Sequence, residues 1–124
     1  MKYVHPFTTA AATEVTQAGG KGAMLARLWQ AGLPVPPGCV LAPSALTAYV
    51  QIQGQRVPAT ADEAHRVLRA GAPPDAMQEE LQTVLAQFKP VPCGWAVRSS
   101  AVAEDSARAS YAGIFESFLE IQDD

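Results

Sequence analysis

The sequence predicts an α+β fold, with helices packed on a small mixed sheet. Short apolar runs of strand length recur along the chain, at residues 39–42, 93–98 and 114–121, and a further short strand is possible at Lys2 to Val4. Amphipathic segments of helical period separate these runs. At 124 residues the chain forms one domain, or part of one, with a modest hydrophobic core.

Charge and composition exclude several classes of protein. Twelve acidic against nine basic residues give a formal net charge of −3, and no lysine or arginine cluster is present, so a nucleic-acid partner is not expected. The N-terminus lacks the apolar core of a signal peptide, and no run approaches the roughly 18 apolar residues of a membrane span. We therefore expect a cytoplasmic protein with no membrane partner.

The cysteines and histidines give no support for a redox or metal site. Cys39 and Cys93 each lie in a short apolar run, where a buried, unreactive thiol is expected. His5 and His65 are isolated in the sequence, so no metal-ligand set and no nucleophile pair is predicted.

Four helices are expected, at residues 23–31, 43–54, 60–70 and 73–89. Thr60 and Glu63 have capping-box spacing at the start of the third helix, and Ser44 is a candidate cap of the second. Gly32 lies at the expected C-terminal cap of the first. Apolar residues at helical spacing define the faces that should be buried. They are Leu46, Tyr49 and Val50 in the second helix and Met77, Leu81, Val84, Leu85 and Phe88 in the fourth, whose outer face carries Glu79, Glu80 and Gln82.

A glycine-rich turn, Gly19-Gly20-Lys21-Gly22, opens directly into the first helix. Such a turn presents free backbone N–H groups, here those of Gly20 and Gly22, together with the positive end of the helix dipole, and both favour an anion. Lys21 adds an ammonium group. The lysine is followed by glycine instead of the Ser or Thr of a P-loop, so an ordinary turn before a surface helix is an equal alternative.

A second anion-binding element is predicted where the apolar run at residues 93–98 ends in Arg98, Ser99 and Ser100. In a strand, Cys93, Trp95 and Val97 point to one face, while Gly94, Ala96 and Arg98 point to the other. The bare face leaves room for a ligand, and the Arg98 guanidinium and the Ser99 hydroxyl are suitable phosphate donors. The alternative is that Arg98 pairs with Glu104 or Asp105.

The following loop, from Ser99 to Ala112, is rich in alanine and serine and has the length of a binding loop, a lid or a disordered segment. Gly113 permits a close backbone approach before a strand from Ile114 to Ile121. Within that strand Ser117 falls on the apolar side with Phe115 and Leu119, where its hydroxyl needs a ligand or a backbone partner.

Three ordered blocks of residues resemble a known family. They are Gly19-Gly20-Lys21-Gly22-Ala23 with Leu25, Ala31-Gly32-Leu33-Pro34-Val35-Pro36-Pro37-Gly38, and Ala96-Val97-Arg98-Ser99-Ser100-Ala101 with Ala103-Glu104-Asp105, Ala109-Ser110, Ala112-Gly113 and Phe118-Leu119. Together they are similar to the N-terminal, nucleotide-binding portion of the phosphoenolpyruvate synthase and pyruvate phosphate dikinase family, which includes rifampicin phosphotransferases.

The resemblance implies that residues 1–124 form the first lobe of an ATP-grasp-like domain, in which two α+β lobes clamp ATP. It implies that Lys21 and Arg98 contact the ATP phosphates and that Gly113 and Ser117 contribute to the nucleotide site. Ser117 stands where the family commonly has threonine, which keeps the hydroxyl. Met24 replaces an asparagine and Ile114 replaces a polar residue, and the first change removes a polar group near the phosphate turn.

The family transfers a phosphoryl group from ATP to a histidine on a separate domain and then to pyruvate or another acceptor, releasing AMP and phosphate. Lys21 and Arg98 would stabilise charge beside Mg²⁺, whose protein ligands are expected in a second lobe. That lobe and the phosphohistidine domain are not in this sequence, so a separate chain would be a partner, and the 124 residues alone should bind ATP weakly without catalysis. The alternatives are a non-catalytic binding or scaffold module of the same fold, and a homodimer formed through an exposed inter-lobe face.

Overall fold

The computed structural model describes residues 1–52, 54, 60–100 and 117–121. The described helices are α1 (Val15–Gln30), α2 (Pro43–Ile52), α3 (Ala61–Ala70) and α4 (Asp75–Ala86), and a short 3₁₀ turn covers Ala11–Thr13. The described strands are β1 (Val4–Pro6), β2 (Cys39–Leu41), β3 (Trp95–Arg98) and β4 (Ser117–Ile121). This combination of helices and short strands confirms the α+β class.

The described strands form two separate antiparallel pairs instead of the one mixed sheet that the sequence predicted. β1 pairs with β2, with Val4 opposite Leu41, and β3 pairs with β4, with Arg98 opposite Ser117. In each pair the second strand runs back along the first, whereas a mixed sheet also requires strands that run in the same direction. The first pair packs with the helices, and the second carries the predicted arginine.

The N-terminal segment is attached to α4 by Glu80, which the sequence placed on the outer face of that helix. Its carboxylate accepts the backbone N–H of Lys2 at 2.9 Å, of Tyr3 at 2.8 Å and of Val4 at 3.0 Å. Desolvation acts to raise the pKa of Glu80, but these donors and the N-terminal charge outweigh it and hold that pKa below its usual value. The first strand covers Val4–Pro6 and not Lys2 to Val4, and Glu80 holds the residues where this strand begins.

A first apolar cluster, the large-residue core, joins β1 to α2 and α4. Its buried members are Tyr3, Val4, Ala45, Tyr49, Met77 and Val84, with Leu81 and Phe88 packed against them. The predicted apolar face of α4 is therefore confirmed. On α2, however, the buried residues are Ala45, Tyr49 and Val50, and Leu46 is 51% exposed, so the prediction that Leu46 is buried was wrong.

Capping signals were mostly predicted correctly. Thr60 Oγ1 accepts the Glu63 N–H at 3.3 Å at the start of α3, as the capping-box spacing indicated. Gly32 has the left-handed φ of 78° expected just after α1. Ser44, in contrast, does not cap α2, because the helix already begins at Pro43 and Ser44 is its second residue.

A second apolar cluster, the small-residue core, packs α1 against β2 and the 3₁₀ turn. Its buried members are Phe7, Ala12, Ala18, Ala23, Ala26 and Val40. The helix begins at Val15, so one turn of helix precedes the glycines, where the sequence predicted a turn leading into a helix. The four alanines of this cluster allow backbones to approach closely. Three of them, Ala18, Ala23 and Ala26, lie in α1, which also contains the glycines.

The two cysteines differ in environment. Cys39 is half-buried, and burial raises the pKa of its thiol to about 11. Cys93 is exposed, so the prediction of a buried thiol was wrong at this position. Gly94 has a φ of 74° and its N–H donates to the Val91 carbonyl at 3.3 Å, so Cys93 lies in a surface turn and β3 begins only at Trp95.

None of the helices in the described ranges is long and apolar enough to cross a membrane.

Candidate phosphate-binding site

The helix α1 is interrupted at Gly19, whose φ of 72° and ψ of 171° are not helical. The interruption divides the helix into a first turn, Val15 to Ala18, and a second segment that starts at Gly20. A Cβ at position 19 would collide with the backbone carbonyl of Ser100, and the positive φ is itself unfavourable for any residue with a side chain. Glycine is therefore required at this position for two independent reasons.

One hydroxyl, that of Ser100, bridges the interruption. It accepts the backbone N–H of Gly22 at 2.8 Å, on the downstream side, and donates to the carbonyl of Ala18 at 2.6 Å, on the upstream side. These bonds join segments about 80 residues apart in the sequence. The glycine block and the Arg-Ser-Ser block, which the sequence identified separately, are thus in direct contact.

Gly22 contributes space instead of a free donor. Its N–H, predicted as one of the free phosphate-binding groups, already donates to Ser100 Oγ. A Cβ at Gly22 would lie 2.6 Å from Val40 Cγ1 and 3.2 Å from Ser100 Oγ, so a larger residue would force β2 or Ser100 away from the helix. The missing side chain is what lets β2, α1 and the end of β3 meet.

Ser99, next to Ser100, has the opposite environment. Its Oγ is buried and has no hydrogen-bond partner among the residues that the structure describes. A buried hydroxyl left in this state costs about 1–3 kcal/mol, so such groups mark sites where a ligand or water completes the bonding. In the chain, Ser99 follows Arg98, which is exposed at the end of β3, and precedes Ser100, which contacts the glycine turn.

The two cations that the sequence predicted belong to the two segments that meet at the Ser100 junction, where Ser100 binds the backbone of Ala18 and Gly22. Lys21 is half-buried in the first turn of the second segment of α1, next to the Gly22 that binds Ser100. Arg98 is two residues before Ser100 in the chain. The alternative partners of Arg98, Glu104 and Asp105, lie outside the described residues, as does Gly113.

Ser117 is placed opposite Arg98 by the register of β3 and β4. Trp95 pairs with Ile121 and Val97 with Phe118, so β4 has one more residue than β3 between these two pairs. The unbroken alternation that the sequence suggested for β4 is therefore wrong at this point. The irregularity brings the backbone of Ser117 to the arginine end of the ladder.

The described residues fit a phosphate better than a metal ion. Within residues 1–52, 54, 60–100 and 117–121, no group of three or more His, Cys, Asp or Glu side chains could hold a metal ion. The side chains of the two joined segments include the Ser99 hydroxyl, the Lys21 ammonium and the Arg98 guanidinium, which are chemical groups that bind anions. The chemistry of these side chains therefore suits an anion, and the described residues offer no carboxylate cluster that suits a protein-held Mg²⁺.

Sequence reasoning missed two residues that organise this part of the molecule. It included Ser99 but not Ser100 among the residues of the nucleotide site, because nothing in a pair of adjacent serines tells which one faces a distant helix. Glu80 was assigned to an exposed face, because its partners are backbone groups that carry no sequence signal. The signal for Ser100 was indirect, since Gly19 and Gly22 flank the space that its side chain occupies.

Comparisons with known proteins identify the family of this chain. A family model, pyruvate phosphate dikinase AMP/ATP-binding domain, matches residues 15–124. A probable phosphoenolpyruvate synthase of Methanothermobacter thermautotrophicus is 32% identical over 98% of this chain and 21% of its own length. A probable phosphoenolpyruvate synthase of Methanocaldococcus jannaschii is 30% identical over 98% of this chain and 12% of its own length.

An uncharacterized phosphotransferase of Bacillus subtilis, YvkC, is 31% identical over 85% of this chain and 12% of its own length. This chain thus spans between an eighth and about a fifth of the curated relatives that it matches. No solved structure matches it. Because the family model covers most of the sequence, including both contacting blocks, the chain belongs to the pyruvate phosphate dikinase AMP/ATP-binding domain family.

Proposed function

We propose that these 124 residues form the first, ATP-grasp-like lobe of a phosphoenolpyruvate synthase-like phosphotransferase and that the Ser100 junction holds the ATP phosphates. The observation that carries the proposal is the buried hydroxyl of Ser99, which has no hydrogen-bond partner among the described residues and belongs to the residue before the Ser100 that contacts the glycine turn. Two cations, Lys21 and Arg98, belong to the two segments that this junction joins. The family supplies the nucleotide, since its model describes an AMP/ATP-binding domain.

Each residue has a distinct proposed role. Lys21 and Arg98 neutralise the negative charge of the triphosphate, and the planar guanidinium binds two oxygens at once. Ser99 donates its hydroxyl to a phosphate oxygen, and Gly20 lies at the positive end of the second segment of α1. Gly113 and Ser117 complete the nucleotide site, Ser117 from the position opposite Arg98. Gly22 acts through its small size.

The chemistry of phosphoryl transfer needs positioned charge more than a protein nucleophile, and the two cations supply it. Mg²⁺, which screens phosphate charge, would enter with ATP and take its protein ligands from a second lobe. Transfer to a histidine of another domain, and then to pyruvate or another acceptor, completes the proposed reaction. A separate chain carrying those domains, a homodimer and a cytoplasmic location stay predictions from the sequence.

Calorimetric titration of the 124-residue protein with ATP and Mg²⁺ tests the proposal. We expect measurable binding that Lys21→Ala and Arg98→Ala each weaken by about tenfold or more, as for the loss of a charge-assisted hydrogen bond. Arg69→Ala is the matched control, because Arg69 is exposed in the last turn of α3 and the change in net charge is the same.

Equal affinities for all three variants would contradict the proposed phosphate site. If the unsubstituted protein gives no heat with ATP, the non-catalytic scaffold is the better description. We also expect no steady-state formation of AMP by the isolated 124 residues, and sustained AMP formation would show that these residues suffice for catalysis.

A further inference from the structure

Gly19 stands at the N-cap position of the second segment of α1, yet it has no side chain to cap with. The segment starts at Gly20, so Gly22 is its third residue, whose N–H an N-cap serine or aspartate normally binds. In this protein that N–H donates to Ser100 Oγ at 2.8 Å. Ser100 therefore performs the function of an N-cap from a segment 78 residues further along the chain.

The chain leaves no room for an ordinary cap. A Cβ at position 19 would collide with the carbonyl of Ser100, so a capping side chain at Gly19 and the present position of Ser100 exclude each other. The second bond of Ser100, to the Ala18 carbonyl at 2.6 Å, fixes the upstream side of the interruption as well. The Ser100 hydroxyl thus sets the geometry of the glycine turn. It also sets the position of Arg98 and Ser99, the two residues that precede Ser100 in the chain.

We propose that Ser100 is a positioning residue of the nucleotide site: it caps α1 from a distance and so fixes Arg98 and Ser99 relative to Lys21. The expected effect on ATP binding rests on the proposed function, whereas the cap itself rests only on the hydrogen bonds of Ser100. The Ser100 hydroxyl is not a phosphate donor in this arrangement, because its one O–H donates to the Ala18 carbonyl and its oxygen accepts the Gly22 N–H. Ser99, one residue earlier, is the direct donor.

The two adjacent serines provide a matched pair of variants. We expect Ser100→Ala to weaken ATP binding by about tenfold and to increase the hydrogen-exchange rate of the Gly22 amide, measured by NMR. Ser99→Ala should weaken ATP binding to a similar degree and leave Gly22 exchange unchanged. A third variant, Val84→Ala, removes buried volume in the large-residue core, which shares no buried member with the small-residue core around α1, and should lower stability with no change in ATP affinity in the folded protein.

The unsubstituted protein gives a test that needs no variant. The Gly22 amide should be protected from exchange before ATP is added, and saturating ATP should not increase that protection further. Protection that appears only with ATP would mean that Gly22 binds phosphate, and it would overturn the remote cap.

The outcomes separate this inference from the proposed function. If ATP does not bind at all, the nucleotide assignment fails, while Gly22 protection and its loss in Ser100→Ala still decide the cap. If ATP binds and Ser100→Ala leaves both its affinity and Gly22 exchange unchanged, the positioning role is refuted and the nucleotide site stands. If Val84→Ala weakens ATP binding as much as Ser100→Ala does, the effect of Ser100 is one of general stability and the positioning role is again refuted.

Discussion

The large-residue core and the small-residue core use different kinds of side chain. The first contains two tyrosines, two valines and a methionine, and four of the six buried members of the second are alanines. Large side chains bury much apolar surface and hold elements apart at ordinary packing distances. Small ones let backbones approach, and in this protein that approach brings Ser100 to the start of the second segment of α1. Stability and ligand binding should therefore respond differently to substitution in the two regions.

The largest expected effect comes from Gly19→Ala, in the region of small residues. A side chain at position 19 makes the left-handed backbone unfavourable by about 1–2 kcal/mol. Its methyl group would also collide with Ser100, at a cost comparable to that of an overpacked core. We expect a loss of about 3 kcal/mol in the free energy of unfolding, measured by urea titration, together with weaker ATP binding.

Gly32→Ala is the control for this substitution. Gly32 has a similar φ of 78° but nothing within 4 Å of its Cβ position, so it should lose only the backbone cost and keep its ATP affinity. Equal losses of stability in the two variants would show that the Ser100 contact adds nothing.

The next effect is that of Val84→Ala, in the large-residue core. Val84 is fully buried, and removing two methyl groups should cost about 2 kcal/mol through lost burial and the cavity left behind. Leu46→Ala, on a side chain that is 51% exposed, should change the free energy of unfolding by less than about 0.5 kcal/mol. Comparable losses from both would mean that α2 packs through a different face.

The smallest effect is expected from Glu80→Gln, at the edge of the large-residue core. The amide keeps one acceptor oxygen but loses the charge, so a loss of about 1 kcal/mol at neutral pH is expected. The exposed neighbour Glu79→Gln is the control and should have no measurable effect.

The contribution of Glu80 also predicts a pH dependence. The pKa of this carboxyl is lowered in the folded protein from an ordinary value of 4.5, so the unfolded chain binds the proton more tightly. The stabilisation is fully present above that value and is lost as the pH falls below it towards the lowered pKa. Unfolding titrations between about pH 6 and pH 3 should show a shallower decline for Glu80→Gln than for the unsubstituted protein. Parallel declines would contradict the three backbone hydrogen bonds.

Local signals explain why much of the fold could be predicted. The Thr60 cap, the apolar face of α4 and the stop at Gly32 depend on neighbours within a few residues, and each was found from the sequence. The errors occurred where distant groups decide the outcome. Glu80 is held by backbone N–H groups more than 70 residues away, and Cys93 is exposed because the chain turns at Gly94.

The candidate site divides in the same way. The residues proposed to bind phosphate, Lys21, Arg98 and Ser99, could be selected from the sequence because charge and hydroxyl chemistry belong to the side chains themselves. The different roles of Gly22 and Ser100 were not, because the Gly22 N–H looks free until Ser100 is placed beside it.

The amino-acid sequence alone determined the α+β class, the helices with local caps and the family to which the chain belongs, since these depend on local periodicity and on motifs in order. Only the tertiary structure decided that the glycine turn is a break within a helix and that Ser100 closes it. The physical reason is that a hydrogen bond between residues about 80 positions apart depends on where the whole chain folds, and neither partner carries a local sign of the other.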